Sequence, residues 1–285
     1  MANIRLIARR ICSIQGIAKT TKAMEMVSTS KMKRAQERVI AGRPYSEKMR
    51  QVLSDLSAQS QTDSDIHPLF KKRDIHNVAI VHITANRGLC GGLNTNVNRT
   101  TIDFVHGQSA HDIIITVGRK GRDFMTRRGR SILADFSGIG DNAVMADIMP
   151  ISRLIIDGYI EGTIDQVYLA YTQFITTANV VPSLDQLLPI APPQSEVTNA
   201  IDYIYEPSDK AVLEDLLPRF VEMQIYHALL ESIASEQSSR MVTMRNATEN
   251  ANQLVDDFTL MYNKARQDMI TSELLDITGG AEAVA

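Results

Sequence analysis

The sequence predicts an α/β protein in which a long helix at each chain end pairs into an antiparallel coiled coil, with a central domain of alternating strands and helices between them. Apolar residues spaced three and four apart at both ends predict the helices. Breaker residues are also scarce in the last third, which has no glycine between Gly162 and Gly279 and no proline after Pro218. Strand-like runs alternating with helical stretches predict the central domain. The expected division is 1–58, 75–205 and 208–285.

Composition agrees with long helices. The 285 residues are 44% hydrophobic but only 5% aromatic, with 13 Met and no Trp. Net charge is −3 overall, yet the first fifty residues hold twelve Lys or Arg against three Glu. This basic segment is either a solvated helix face or a surface that meets an acidic partner. Two cysteines form neither a disulfide framework nor a zinc pattern, and they fit a reducing compartment.

The N-terminal helix is predicted over 3–58. Its apolar residues begin in the spacing of a coiled-coil seam and then drift in phase. The seam comprises Ile4, Ile7, Ile11, Ile14 and Ala18, and the drift passes through Met24, Val27, Met32, Ala35 and Val39. Pro44 either kinks this helix or is absorbed by it.

The C-terminal helix keeps one register over seven heptads. Its seam runs through Phe220, Met223, His227, Leu230, Ala234, Gln237, Met241, Met244, Thr248, Ala251, Val255, Phe258, Tyr262, Ala265, Met269 and Ser272. Ser208 or Asp209 is the expected N-cap, and Gly279-Gly280 the expected stop. A helix over 209–278 is about 105 Å long and needs a partner helix, an enclosing protein, or both. Small and polar seam residues predict close but weak packing, of a kind that an outer sleeve would support.

The central domain is predicted to be Rossmann-like, with parallel strands joined by right-handed crossovers. The expected strands are Val78–Thr84, Asp112–Val117, Gln166–Phe174 and Ala200–Tyr205, and the expected helices are Leu93–Val105, Arg119–Arg128 and Val144–Tyr159. Segments 60–75 and 186–199 are expected to be loops.

No catalytic, cofactor or metal site is expected. The Gly-rich turn after the first strand and the cluster Gly118–Gly121 fit neither G-x-G-x-x-G nor the P-loop pattern, so tight packing is favoured over a nucleotide site. The six histidines lack ligand spacing, and Asp256 and Asp257 are expected to be solvated. The chain is therefore predicted to be non-enzymatic and to bind no cofactor.

Four segments together resemble the gamma subunits of F-type rotary ATP synthases. They are Lys19–Met32 (KTTKAMEMVSTSKM), Arg87–Asn94 (RGLCGGLN), Ser235–Met241 (SEQSSRM) and Tyr262–Leu274 (YNKARQDMITSEL). The resemblance spans the chain in order and spacing. The absence of a transit peptide and the run Ala23–Met26 (AMEM) resemble a bacterial rather than a mitochondrial member. The cysteine-bearing insertion of plant chloroplast relatives is absent, so thiol regulation of that kind is not expected. Asn86, where the family commonly has Asp, and Asp268, where it commonly has an apolar residue, depart from the family pattern.

The resemblance implies a non-catalytic shaft that transmits rotation between a membrane c ring and a catalytic ring of alpha and beta subunits, with an epsilon subunit beside its foot. It implies a peripheral position on the cytoplasmic face of the bacterial inner membrane, with membrane contact only through the c ring and no nucleic-acid partner. The residues expected to contact beta are Lys22, Met24, Glu25, Arg266, Gln267 and Thr271. Those expected to contact the c ring or epsilon are Tyr203, Tyr205 and Glu206.

Two other functions fit the sequence less well. A coiled-coil adaptor with an α/β insert would bind proteins without rotating. A Rossmann-type enzyme with helical arms would need a cofactor fingerprint, which the glycine spacing does not provide. A nucleic-acid-binding function of the basic helix is disfavoured, because aromatics are not interleaved and net charge is negative.

Overall fold

The computed structural model describes residues 4–59, 67–190 and 208–284, and these form two compact units. The first unit comprises 1–28 and 240–285, and the second comprises 29–239. Two long helices, α1 (Ile4–Gln59) and α5 (Asp209–Val284), each contribute to both units. The three-part division expected from the sequence stays a prediction, although both helices begin and end near the predicted bounds.

The ends of the long helices follow their local chemistry, with one exception. The hydroxyl of Ser208 accepts a hydrogen bond from the Ala211 N–H at 3.3 Å, which confirms Ser208 as the N-cap of α5. Pro44 lies inside α1, so the helix absorbs it. The predicted stop at Gly279-Gly280 is wrong, because α5 continues to Val284. Glycine weakens a helix but keeps its N–H donor, so it does not end one without a left-handed cap.

The seam of α1 does not drift in phase. Residues that are buried or half-buried recur every three and four positions at Ile4, Ile7, Ile11, Ile14, Ala18, Thr21, Glu25, Ser28, Met32, Ala35 and Val39. The predicted drift through Met24 and Val27 is therefore wrong, since polar side chains occupy three core positions that an apolar pattern skips. On α5 the predicted seam is confirmed with one exception: between 249 and 279 every residue that is not exposed is a seam residue, but the predicted seam residue Met269 is 43% exposed.

The α/β domain in the second unit has a five-stranded sheet of order β3-β2-β1-β4-β5. The strands are β1 (Asn77–Ile83), β2 (His111–Val117), β3 (Ile132–Asp135), β4 (Gln166–Phe174) and β5 (Val180–Leu188). The helices are α2 (Leu93–Gly107), α3 (Arg119–Arg127) and α4 (Met145–Ile160), and a short 3₁₀ turn spans Pro68–Phe70. Three predicted strands and all three predicted helices are confirmed, with small differences at their ends.

Two strands were missed. β3 adds a parallel edge beside β2, and β5 pairs antiparallel with β4, so the sheet is mixed and not wholly parallel. The expected loop 186–199 is wrong at its start, because β5 reaches Leu188. The predicted strand Ala200–Tyr205 lies outside the described residues.

The core of the second unit joins the sheet to both long helices. On β1, Ala79, Val81 and Ile83 point into the main cluster, while Val78 and Ile80 point to the other face. The main cluster also contains Met49 and Leu53 of α1, three isoleucines of α4 (Ile148, Ile151 and Ile155), and Leu217, Val221 and Ile225 of α5. A central parallel strand is expected to be buried on both faces in this way.

Candidate functional site

A charged residue lies in the seam of the first unit. Glu25 is only 6% exposed, and its two carboxylate oxygens have different partners. Lys22 Nζ donates to Oε2 at 2.9 Å, and Arg245 Nε of α5 donates to Oε1 at 3.1 Å. The Lys22 hydrogen bond, with Arg245 assisting against the opposing effect of burial, lowers the pKa of the Glu25 carboxyl. Glu25 is therefore a carboxylate that joins the two helices.

A hydroxyl pair forms the next polar contact of the seam. Thr21 Oγ1 and Thr248 Oγ1 are 2.7 Å apart, and they also lie within hydrogen-bonding distance of the Ala18 and Met244 carbonyls, respectively. Each hydroxyl has one proton, so one of the two donates across the seam and the other to its own helix. Polar groups at core positions of a coiled coil fix its register and reduce its stability. Together with Glu25–Arg245, this pair defines a polar layer, named here as Thr21, Lys22, Glu25, Arg245 and Thr248.

A groove of about 780 Å³ opens beside the polar layer. Its lining includes Lys19, Lys22, Met26 and Val27 of α1, and Arg245, Glu249 and Asn252 of α5. Met26 and Val27 are 60% and 54% exposed. The groove thus combines apolar side chains with three cations and two carboxylates, Glu25 and Glu249, which leaves it with a net charge of +1. A partner segment that carries apolar and acidic residues together fits this lining.

The structure brings together two of the three residues predicted at this position. Lys22 and Glu25 are bonded directly, whereas half-buried Met24 is not among the residues that line the groove. The Glu25 carboxylate already has two partners within the chain, so any contact that it makes with another subunit is shared with them. Their contact with beta stays a prediction.

The other predicted beta-contacting residues lie near the end of α5. Arg266, Gln267 and Thr271 are all exposed, and the Thr271 hydroxyl donates to the Gln267 carbonyl at 2.9 Å, which places both on one helix face. The Arg10 guanidinium lies 6.0 Å from the centre of the Phe258 ring. Because the helices are antiparallel, Ile4 lies about two turns further along, beside the region of Ala265. Later residues of α5 therefore extend past the first described residue of α1.

The extension of α5 is unusually apolar for an exposed segment. Ile270, Leu274, Leu275 and Ile277 are between 46% and 68% exposed. Exposed contiguous apolar surface of this kind marks a protein–protein contact. The residues predicted to contact the c ring or epsilon, Tyr203, Tyr205 and Glu206, lie outside the described residues.

In the α/β domain, the glycine cluster Gly118–Gly121 serves packing, whereas Gly88 of the first Gly-rich turn has no atom within 4 Å of an added Cβ. A Cβ on Gly118, whose φ is +105°, would lie 2.1 Å from the Thr84 carbonyl oxygen, and one on Gly121 would lie 2.7 Å from the His82 ring. The free N–H groups at the start of α3 are satisfied by the chain itself. Arg119 N donates to Asn86 Oδ1, Lys120 N to the Ala85 carbonyl and Gly121 N to Thr84 Oγ1. A phosphate has no such donors left to bind there.

Asn86 uses both ends of its amide. Its Oδ1 accepts from Arg119 N at 3.1 Å, and its Nδ2 donates to the Ile139 carbonyl at 2.7 Å. An Asp at this position would keep the first bond and lose the second, because an ionised carboxylate has no N–H donor. The departure from the family pattern at Asn86 thus has a structural role in this chain.

Within the described ranges, no group of His, Cys, Asp and Glu has a geometry that could hold a metal ion. Asp256 and Asp257 are exposed, as expected. No helix in the described part of the chain is long and apolar enough to cross a membrane.

Sequence reasoning missed Thr21, Arg245 and the core position of Glu25. The signal was present, because the three-four spacing continues unbroken from Ala18 through Thr21, Glu25 and Ser28 to Met32. This spacing is found only when the core positions are assigned by counting three and four residues along the helix, whether the residue at each position is apolar or polar.

Comparison with known proteins assigns the chain to a family. The ATP synthase family profile matches residues 3–284. An ATP synthase gamma chain of Dehalococcoides mccartyi strain BAV1 is 54% identical over 285 residues, which is the whole of both chains. One from Moorella thermoacetica is 44% identical over 284 residues, again with full coverage of both.

Solved structures share the fold. A chain of the central stalk and c-ring structure of the Tetrahymena thermophila mitochondrial ATP synthase is 25% identical, with a TM-score of 0.59 over 80% of this chain and 99% of that one. A chain of the Euglena gracilis enzyme in rotational state 3 gives a TM-score of 0.65 at 19% identity, over 99% and 94% of the two chains. On the profile match and the full-length identities, the chain belongs to the ATP synthase gamma-chain family.

Proposed function

We propose that this chain is the central-stalk rotor of a proton-translocating ATP synthase and transmits rotation between a membrane c ring and a catalytic ring of alpha and beta subunits. It carries no catalytic residues of its own in this proposal, and beta subunits perform the chemistry. Its family membership and its likeness to a chain solved in a central stalk and c-ring structure support this function.

The observation that carries the proposal is the surface of the first unit. Twelve large apolar side chains in its described residues are more than a third exposed: Leu6, Ile17, Met26, Val27, Leu254, Leu260, Met261, Met269, Ile270, Leu274, Leu275 and Ile277. Each helix of a pair buries only the side that faces the other helix. The exposed apolar residues on the remaining sides therefore need a further protein partner to cover them. An enclosing ring of protein fits this surface better than a single docking partner on one face.

The seam suits a shaft that is supported from outside. Small and polar residues such as Ala18, Thr21, Thr248 and Ala251 occupy its core, where Leu and Ile would make an isolated coiled coil more stable. Exposed Met side chains offer contacts that re-pack easily as a partner surface changes. Each shaft angle then favours a different conformation of the enclosing sites through differences in contact energy.

The charge pattern supports specific contacts. The groove beside the polar layer carries Lys19, Lys22 and Arg245 around exposed Met26 and Val27, and we assign it to an acidic segment of beta. Arg266, Gln267 and Thr271 are assigned to a second beta contact near the end of α5. Tyr203, Tyr205 and Glu206 are assigned to the foot, in contact with the c ring and epsilon. The complex would hold the chain at the cytoplasmic face of the inner membrane, as a peripheral subunit.

Purification tests the proposal. The tagged chain, isolated from native membranes without denaturant, should bring with it alpha, beta, epsilon and c subunits and an ATPase activity, whereas the refolded chain alone should hydrolyse no ATP. The mass of the native complex, measured by mass spectrometry, checks the subunit content. Recovery of the chain with a non-ATPase partner would favour the adaptor instead, and hydrolysis by the isolated chain would exclude the rotor assignment.

A further inference from the structure

A short loop of the α/β domain bridges α1 and α5 within the second unit. It spans residues 136–144, between β3 and α4, and is named here the joint loop. Asp141 Oδ2 accepts from Lys31 Nζ of α1 at 2.6 Å, and Asp141 Oδ1 accepts from Gln237 Nε2 of α5 at 3.3 Å. One carboxylate therefore links the domain to both long helices.

Neighbouring residues reinforce these links. Arg38 Nη2 of α1 donates to Asn142 Oδ1 at 3.3 Å, and the Tyr226 hydroxyl of α5 donates to the Ala143 carbonyl at 3.4 Å. Ala143 is 2% exposed and belongs to the main core cluster. The other end of the loop is held by Asn86, whose Nδ2 donates to the Ile139 carbonyl. The joint loop is thus anchored on the sheet side and on the helix side.

The domain also meets α5 through three serine hydroxyls. Ser232 Oγ accepts from Thr172 N at 3.2 Å, Ser235 Oγ donates to the Thr172 carbonyl at 3.1 Å, and Ser238 Oγ donates to the Thr177 carbonyl at 2.6 Å. These fix the end of β4 on α5 but do not involve α1. The joint loop therefore adds a polar attachment to α1, which the serine hydroxyls do not provide.

The contacts between α1 and the α/β domain extend over a long stretch of the helix. Ala35, Met49 and Leu53 of α1 pack in the main cluster, and Lys31 lies four residues before Ala35 and 18 residues before Met49. At 1.5 Å per residue, the contacts from Lys31 to Met49 extend about 27 Å along the helix. The Lys31–Asp141 ion pair lies at one end of this contact, where Ala35 is the nearest α1 residue of the main cluster.

We propose that Asp141 is a positioning residue that holds the joint loop against both shaft helices and so helps to keep the α/β domain in register with them as torque passes. The inference rests on the rotor function proposed above. Lys31 and Asp141 are 43% and 38% exposed, so their ion pair is weak and easily remade. Removing it should increase the undocked fraction of the joint loop about two- to fivefold.

The test uses the intact complex in inverted membrane vesicles. ATP-driven proton uptake is measured with a fluorescent pH probe, ATP hydrolysis is measured as phosphate release, and their ratio reports coupling. We expect Asp141→Ala and Lys31→Asp each to lower this ratio, while hydrolysis changes less. The double variant Lys31→Asp with Asp141→Lys restores the ion pair in reverse and should restore the ratio. Gln237 tolerates the swap, because its amide can present oxygen as well as nitrogen.

Two further variants separate positioning from folding. Asp141→Asn keeps an acceptor for Gln237 and removes only the charge, so it should assemble and show a smaller loss of coupling. Asp112→Ala breaks a comparable ion pair, Arg130–Asp112 at 3.1 Å, that touches neither long helix, and it should leave the ratio unchanged. Hydrogen exchange of peptides covering 136–144 should accelerate in Asp141→Ala and not in Asp112→Ala.

The possible outcomes are distinct. If wild-type vesicles couple normally and Asp141→Ala couples equally well, the joint is wrong and the rotor function stands. The same conclusion follows if the charge-swapped double variant is no better than the single variants, or if Asp112→Ala uncouples as strongly. If wild-type vesicles contain no ATPase associated with this chain, the rotor function fails and the joint fails with it.

Discussion

Arg245 and Glu25 are 220 positions apart in the chain, yet the Nε of Arg245 lies 3.1 Å from a carboxylate oxygen of Glu25 in the core of the coiled coil. Glu25→Ala should reduce the stability of the first unit by about 1–2 kcal/mol, because a hydrogen-bonded charge pair is lost and two cations remain close together. Glu25→Gln keeps an acceptor and should cost less. Hydrogen exchange of residues 18–28 in the full chain measures both, and equal losses would show that the charge is irrelevant.

The Glu25–Arg245 pair makes the stability of the first unit depend on pH. The folded-state pKa of Glu25 is lowered, so its stabilising effect is present above the ordinary pKa of 4.5 and declines as pH falls below it. Protection of residues 18–28 against exchange should therefore fall below pH 4.5 more steeply in wild type than in Glu25→Gln. Parallel curves for the two proteins would contradict this assignment.

The residues of this polar layer explain where sequence reasoning succeeded and where it stopped. Helix bounds and the α5 seam follow from local periodicity, which needs no knowledge of the partner. The Glu25–Arg245 contact depends on the relative register of two helices, and no local pattern encodes it. Treating polar residues as breaks in the seam produced the false drift at Met24 and Val27.

The missed strands have a comparable cause. β5 contains Pro182, Ser183 and Asp185, which read as a loop, but an edge strand tolerates proline because one side of it needs no partner. β3 has only four residues and follows an Arg-rich segment. β5 is specified by its pairing with β4, and β3 by its pairing with β2. Pairing between separate segments is not visible in a single stretch of sequence.

Met24→Lys adds a cation on α1 at a half-buried position two residues after Lys22, outside the set of residues that line the groove. We expect ATP hydrolysis by the complex to be largely kept and proton pumping per ATP to fall, because a new charge strengthens contact with an acidic partner at some shaft angles and not others. Met24→Gln has similar length and no charge, and it should behave like wild type. Full coupling in the Lys variant, measured in inverted vesicles, would count against a beta contact here.

Replacing Arg266 and Gln267 together with Ala should lower the ATPase rate of the assembled complex, because both are exposed donors near the end of α5. Thr271→Ala should have a smaller effect, since its hydroxyl proton is already used on the Gln267 carbonyl. Asp256→Ala, an exposed change on the same helix away from this segment, is the control. An unchanged rate in a normally assembled Arg266→Ala/Gln267→Ala complex would refute the contact.

The foot is tested by cysteine scanning. Single cysteines at 203–207, introduced after replacing exposed Cys12 with Ser, should cross-link to c or epsilon in intact membranes. Cross-links to alpha or beta alone, or none at any of the five positions, would place the foot elsewhere. A cysteine at exposed Arg99 of α2 provides a control for accidental labelling of the α/β domain.

His82 offers a test of the α/β domain that does not depend on rotation. The ring is fully buried on β1, with Nε2 2.8 Å from Asn98 Oδ1 and Nδ1 3.0 Å from Thr101 Oγ1, both on α2. Burial, only partly opposed by the Asn98 hydrogen bond, lowers its pKa from 6.5 to about 4. The folded domain therefore holds neutral histidine at a pH where the unfolded chain would already be protonated.

The sign of the effect follows from proton linkage. Above pH 6.5 both states are neutral at His82 and the residue confers no pH dependence, whereas between pH 6.5 and 4 only the unfolded state gains a proton. The domain should lose about 3 kcal/mol of stability over this interval from His82 alone, at 1.36 kcal/mol per unit of pKa difference.

His82→Gln should be less stable at pH 7.5, because the amide cannot reproduce both ring contacts, but its stability should fall much less between pH 6.5 and 4. Hydrogen exchange of β1 amides 78–83, corrected for the intrinsic pH dependence of exchange, measures the stability of both proteins. His106→Gln, at an exposed position on α2, should follow the wild-type curve. If wild type and His82→Gln instead run parallel from pH 6.5 to 4, then another group governs the acid sensitivity of the domain, and His82 is protonated in the fold at a pH close to its ordinary value.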